Sequence, residues 1–138
     1  VISMTKEQLA TMAKGAMEQA YSPYSGYKVG AALLCKDGSV YTGCNVENAS
    51  FSATNCAERT AFFKAVSEGK KEFAAIAICG GKDGVIEGLF PPCGVCRQVM
   101  REFCGDDFLV YLAAKDGIET YILKELLPVS FRPEMIEK

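Results

Sequence analysis

Apolar residues recur at Leu9, Met12, Ala13, Ala16, Met17 and Ala20, one stripe at helical spacing. Thr5-Lys6-Glu7-Gln8 just ahead has the form of a capping box, so the spacing predicts a helix whose stripe packs on a core. Tyr21 to Gly26 (YSPYSG) ends it as a loop. Two strand-like runs follow, Lys28 to Cys35 (KVGAALLC) and Val40 to Cys44 (VYTGC). The Asp37-Gly38 step between them predicts a hairpin. A polar stretch from Asn45 to Asn55 leads into a helical pattern from Cys56 to about Gly69. Phe73 to Cys79 (FAAIAIC) is nearly all apolar, as a central strand covered on both faces should be. Beyond a Gly-rich loop and Pro91-Pro92, a helix is expected from Cys93 to Cys104, with Gly105 as its stop. Phe108 to Ala113 and Thr120 to Leu123 read as two more strands separated by Lys115-Asp116-Gly117, before a short Lys124-to-Leu127 turn.

The predicted order is α-β-β-α-β-α-β-β, with no repeat or linker. That alternation predicts an α/β fold: a three-layer α/β/α sandwich with helices on both faces of a mixed five-stranded sheet, its central β-α-β connections right-handed. At 138 residues the chain fits one domain, residues 1–138. Val1 to Ser3 precede Met4 and read as an appended remnant.

Composition narrows the function classes. With 49% apolar and 23% charged residues, the chain has the balance of a soluble globular protein. A net charge of −2, and no basic run longer than Lys70-Lys71, speak against a nucleic-acid partner. No apolar run is long enough to span a bilayer, and the N-terminus lacks the pattern of a signal peptide, so a cytoplasmic protein without a membrane partner is expected. Seven cysteines then point to metal ligands or small core residues in a reducing compartment. Histidine is absent, so any zinc site must be built from cysteine and carboxylate.

The candidate chemistry falls at two expected helix starts, Cys56-Ala57-Glu58 and Pro92-Cys93-Gly94-Val95-Cys96. Unpaired N–H groups there favour negative charge and stabilise thiolates. Cys93 and Cys96 lie three apart and can bite one ion, with Cys56 as third ligand. Three protein ligands leave a tetrahedral zinc with its fourth position open, which separates catalytic from structural zinc. Glu58, two positions from Cys56, would sit beside the ion and move protons. Three thiolates outweigh Zn²⁺ by one charge, and Arg59 could offset this by donating to a thiolate. Zinc with an adjacent glutamate suits attack of water on an electron-poor carbon bearing an amine. Each motif half is weak alone; together, each opening a helix with a strand between, they are specific.

These motifs resemble the small, homotetrameric class of cytidine deaminase. The likeness runs through Tyr21-Ser22-Pro23-Tyr24-Ser25, Val29 to Leu34, Gly43 to Asn48, Asn55 to Ala61, Pro92 to Gln98 and Glu125 to Pro128. It implies one Zn²⁺ per subunit, a nucleoside substrate, and hydrolysis of cytidine and 2'-deoxycytidine with Glu58 as proton shuttle, the arrangement common to zinc deaminases of this kind. By the same resemblance, Asn45 and Glu47 bind the ribose 3'-hydroxyl and the Ala57 N–H receives the pyrimidine O2. Tyr27 lines the pocket where Phe is usual, and Phe131 reaches into a neighbouring subunit to stack on the base. Phe51 stands where some relatives carry Tyr, in a loop that contributes to a neighbour. The remaining cysteines, Cys35, Cys44, Cys79 and Cys104, are expected to be small buried residues, Cys104 lying too far along its helix to join Cys96.

Three alternatives remain on the sequence. A deaminase of the same zinc class could act on another amine such as blasticidin S, but Asn45-Val46-Glu47-Asn48 is better explained by a ribose. A polynucleotide deaminase would usually carry His where Cys56 stands and would need a basic stripe. A non-catalytic zinc or thiol module would leave Glu58 without a task.

Overall fold

The computed structural model describes residues 4–136, so the reading of Val1–Ser3 lies outside it. Helix α1 spans Lys6–Met17 and strands β1 and β2 span Tyr27–Cys35 and Val40–Cys44. Helix α2 covers Ala57–Ser67, β3 Phe73–Lys82, α3 Gly94–Phe103, β4 Leu109–Ala114, β5 Gly117–Ile122 and α4 Leu123–Leu126. The capping box at Thr5 forms as expected, with Gln8 N–H donating to Thr5 Oγ1 (3.1 Å) and Thr5 N–H to Gln8 Oε1 (3.0 Å).

The five strands make one sheet in the order β2-β1-β3-β4-β5. Pairing is antiparallel except between β3 and β4, which α3 connects in parallel. The period of two along β3 sorts its residues onto two unlike faces. Ile76 and Ile78 face α2 and α3, where Ala57, Ala61, Phe62 and Met100 pack with Val110 and Leu112. Ala75, Ala77 and Cys79 face the other way, onto Leu9, Ala10, Ala13 and Met17 of α1. One face is branched and bulky, the other nearly all alanine, and the three layers follow from that split.

The alanine face lets α1 approach very closely. A Cβ added at Gly30 would lie 2.0 Å from the Ala13 carbonyl oxygen, so the strand backbone and helix backbone are in contact. This rotates the buried stripe of α1: Ala10 is buried while Met12, placed on the stripe by sequence, is exposed. Gly43 does the same on the opposite side, its missing Cβ lying 2.5 Å from Ala57 O and 2.6 Å from Ala61 N. Sequence bounds also shift at two strands. β3 runs on to Lys82 because Tyr27 continues the β1 ladder opposite it, and β5 begins at Gly117, which pairs with Ala114 across a tightened turn. Among the other cysteines, Cys35 and Cys79 are buried, whereas Cys44 and Cys104 are only half-buried. Burial pushes the Cys104 thiol up to about 12, which keeps it protonated and inert.

The two backbone contacts make separable expectations. Gly30→Ala and Gly43→Ala should each cost about 1–3 kcal/mol by overpacking, read from denaturant titration. Only Gly43→Ala pushes on α2, so only it should also weaken zinc uptake by the cysteines at the helix start.

Candidate active site

Strands β2 and β3 run in the same direction because each is antiparallel to β1. Their carboxyl ends therefore open at one end of the sheet, and α2 and α3 both begin there, which is where α/β sheets place ligands. Cys56 is the N-cap of α2 and Cys93 the N-cap of α3, each with extended backbone. Cys96 lies in the first turn of α3 and is fully buried. The three Sγ atoms lie within 4.8 Å of one another. Cys56 Sγ is 3.8 Å from Cys93 Sγ, which is 3.4 Å from Cys96 Sγ. Tetrahedral zinc with Zn–S bonds near 2.3 Å needs sulfurs about 3.8 Å apart, so the donor set fits that ion.

Charge at the cluster is managed by its neighbours. Arg59 Nη2 donates to Cys56 Sγ at 3.3 Å, as its position one turn into α2 allows. Its Nε is buried with no partner among the described residues. Hydrogen bonding from the Cys96 thiol, helped by Arg59 and Cys93, brings Cys56 down to about 5 against the opposing effect of burial. Cys56 is thus the more acidic of the two, and its hydrogen bond with Cys96, together with burial, holds the latter up. Glu58 is 4% exposed. Burial, reinforced by the negative charge of Cys56, raises its carboxyl to about 7.

A cavity of about 190 Å³ opens onto this cluster, lined by Tyr27, Asn45, Ala57 and Glu58 together with Cys56 and Cys93. Phe90 and Pro91 complete one wall, Thr54 and Asn55 another. Thr54 is shared with a shallower recess of about 350 Å³ that holds Tyr24, Glu47 and Phe51. Val46 forms isolated bridges to Tyr21 and Asn55, so residues 45–47 are extended and Asn45 and Glu47 project to the same side. Both also brace the backbone. Asn45 Oδ1 accepts from Val29 N–H (2.9 Å) and its Nδ2 donates to the Tyr27 carbonyl (2.8 Å). Glu47 Oε1 accepts from Tyr24 N–H (2.9 Å) and Ser25 N–H (3.1 Å), while Oε2 accepts from the Ser25 hydroxyl. The Ser25 hydroxyl, followed by its N–H, holds the Glu47 carboxyl below the usual range.

Tyr27 lies against Phe90 with ring centroids 6.0 Å apart, and Lys82 Nζ stands 5.2 Å from the Tyr27 ring centre. Phe131 does not line the cavity; it is 58% exposed, with its carbonyl accepting from Gln98 Nε2 at 2.9 Å. Phe51 is exposed and meets Tyr24 edge-on at 6.2 Å. The sequence reading missed Thr54, Asn55 and Phe90 as cavity walls. Position directly before a metal motif was the available signal for Asn55, and for Phe90 the Pro-Pro step leading to Cys93; nothing local marks Thr54.

Residues 3–112 match the family model described as the cytidine and deoxycytidylate deaminase zinc-binding region. The chain is 51% identical to the cytidine deaminase of Sporosarcina psychrophila over 95% of this chain and 94% of that protein. It is equally 51% identical to the cytidine deaminase of Halalkalibacterium halodurans, over 95% of this chain and 97% of the other. Among solved structures, the cytidine deaminase from Burkholderia pseudomallei superposes with a TM-score of 0.86 at 47% identity, covering 93% of this chain and all (100%) of that one. The fold, the three converging thiols and these likenesses agree: the chain belongs to the zinc-binding cytidine and deoxycytidylate deaminase family.

Proposed function

We propose that this chain, acting as a single domain, hydrolyses cytidine and 2'-deoxycytidine to uridine and 2'-deoxyuridine with release of ammonia. Its family is one of hydrolytic, zinc-dependent deaminases acting on small pyrimidine substrates. The observation that carries the reading is a buried Glu58 beside three thiols that converge at the mouth of one cavity. Cys56, Cys93 and Cys96 hold the zinc, which supplies a Lewis acid that brings the pKa of water toward neutrality. Glu58 accepts one proton of the attacking water and delivers it to ring nitrogen N3; it then takes the second proton from the hydroxyl now on C4 and passes it to the departing amine. Burial raises the Glu58 carboxyl above the usual carboxylate range, which favours a group that must both take and give a proton. Water adds its oxygen to C4 and the C4–N4 bond breaks, so the products balance as the uracil nucleoside and ammonia.

The remaining roles follow from the cavity. As the first residue of α2, Ala57 has an N–H without an intrahelical acceptor, free to receive the pyrimidine O2. Asn45 and Glu47, on one side of an extended segment, bind the ribose 3'-hydroxyl; this favours a nucleoside over an amine lacking ribose. Tyr27 walls the pocket beside Phe90. Phe131 acts on a neighbouring subunit's site in a homotetramer, a role that accounts for a large aromatic left exposed in the single chain. Among the described residues no helix is long and apolar enough to cross a membrane. Three ligand thiols call for reducing surroundings, and we assign the protein to the cytoplasm and to pyrimidine salvage.

The primary test follows the ultraviolet absorbance of cytidine with zinc-loaded protein. Absorbance should fall as ammonia appears, and Glu58→Gln should keep zinc while losing about a hundred- to ten-thousand-fold in kcat. Retained turnover in that variant rules the mechanism out. For Arg59→Gln, alkylation of the zinc-stripped protein should report a Cys56 thiol shifted upward from about 5, since a donor that favours the thiolate is gone. An unmoved profile removes Arg59 from charge balance at the cluster. Light scattering on the active protein should give four subunits, and an active monomer would refute the shared site.

A further inference from the structure

Cys96 is buried, but Cys93 is exposed, so packing alone does not fix the outer ligand of α3. The chain leading to it is Phe90-Pro91-Pro92, and two consecutive prolines have no N–H with which to anchor it. Among the described residues no backbone hydrogen bond is made by residues 88–92. Leu89 and Phe90 pack on the core and Pro92 is buried, but the segment's polar anchor is a side chain. Arg97 Nε donates to the Pro92 carbonyl at 2.8 Å, and its Nη1 donates to the Leu126 carbonyl at 2.7 Å. Leu126 ends α4, whose last carbonyls lack helical donors, and neither of these two carbonyls accepts a backbone N–H from the described residues.

We propose that Arg97 is a positioning residue for the deaminase site: it fixes the peptide plane in front of Cys93 and ties it to the end of α4. The proposal rests on the function proposed above. The Pro92 carbonyl shares one rigid plane with the Cys93 nitrogen, so holding the oxygen sets the direction from which Cys93 enters α3, and with it where Sγ lies. Two divergent N–H groups on one planar fork reach both carbonyls, a rigid geometry that the flexible ammonium of lysine does not reproduce. The adjacent Gln98 holds the Phe131 carbonyl at 2.9 Å, so neighbouring residues of α3 serve the metal ligand and the C-terminal segment separately.

The test measures zinc release from the holoenzyme into a chromophoric chelator, below the melting transition of every variant, alongside cytidine turnover. Arg97→Lys and Arg97→Ala should release zinc about ten- to a hundredfold faster than the parent, the usual cost of losing a ligand-orienting partner. Their kcat should fall by more than KM rises. Millimolar guanidinium should slow release from Arg97→Ala, and ammonium should not. Gln98→Ala should retain zinc like the parent and show its defect in KM. Release from Arg97→Ala at the parental rate overturns the proposal. So does equally fast release from Gln98→Ala, because α3 would then be loosened generally. A parent chain inactive on cytidine, with Arg97→Ala still shedding zinc quickly, would sink the deaminase reading and leave the placement of Cys93 standing.

Discussion

Three cysteine sulfurs within 4.8 Å of one another concentrate negative charge that the interior would otherwise reject. Two helix starts meet them with unpaired N–H groups, and Arg59 adds a full positive charge to one sulfur. Even with Zn²⁺ among them, three thiolates would leave one negative charge uncompensated by the metal, and the Arg59 guanidinium stands beside it, its Nε without a partner among the described residues. The same charge acts on Glu58. A carboxylate formed away from water, and secondarily beside a thiolate, is disfavoured, which raises this carboxyl. The feature that must be neutralised for the site to exist thus also acts on the carboxyl proposed to carry protons.

That convergence depends on how the sheet is woven. β1 is antiparallel to both of its neighbours, so the strands on either side of it end together and deliver α2 and α3 to one place. Close packing then holds α2 in register. The glycine at position 43 lets the backbone of α2 sit directly on β2, one turn from Cys56. α1 uses the equivalent device at Gly30 on the far face, where alanines replace branched residues. The small residues of the middle layer therefore place the helix that brings the first metal ligand, while the large ones fill the core behind it.

The grouping of Cys56, Cys93 and Cys96 with Glu58 beside them was legible in the sequence because much of its geometry is local: an N-cap, a first turn, and a spacing of three. Element order was legible for a similar reason, since period and turn residues are short-range signals. What escaped was set by neighbours far along the chain. Met12 satisfies the helical period as well as Ala10 does, and only the approach of Gly30 decides which is buried. Phe90 becomes a cavity wall through its contact with Tyr27, and Thr54 through lying between two recesses. Arg97 looks like an ordinary helical arginine until Pro92 and Leu126 are seen at its two ends.

Asn45 and Glu47 carry the sharpest consequence of this double use of side chains. Each reads in sequence either as a turn residue or as a sugar ligand, and each braces the backbone while still facing a recess. Bracing constrains what they could offer a substrate. Glu47 takes three donors and is held ionised, so it can only accept, and a sugar hydroxyl meeting it must donate. Asn45 spends one N–H and one lone pair on β1, and keeps one of each for a partner. A hydroxyl both gives and takes one hydrogen bond, and in the role proposed for them Asn45 and Glu47 would complement it with groups already fixed before it arrives. In that role little side-chain freedom would remain to be lost on binding, so a polar ligand would be held in one orientation.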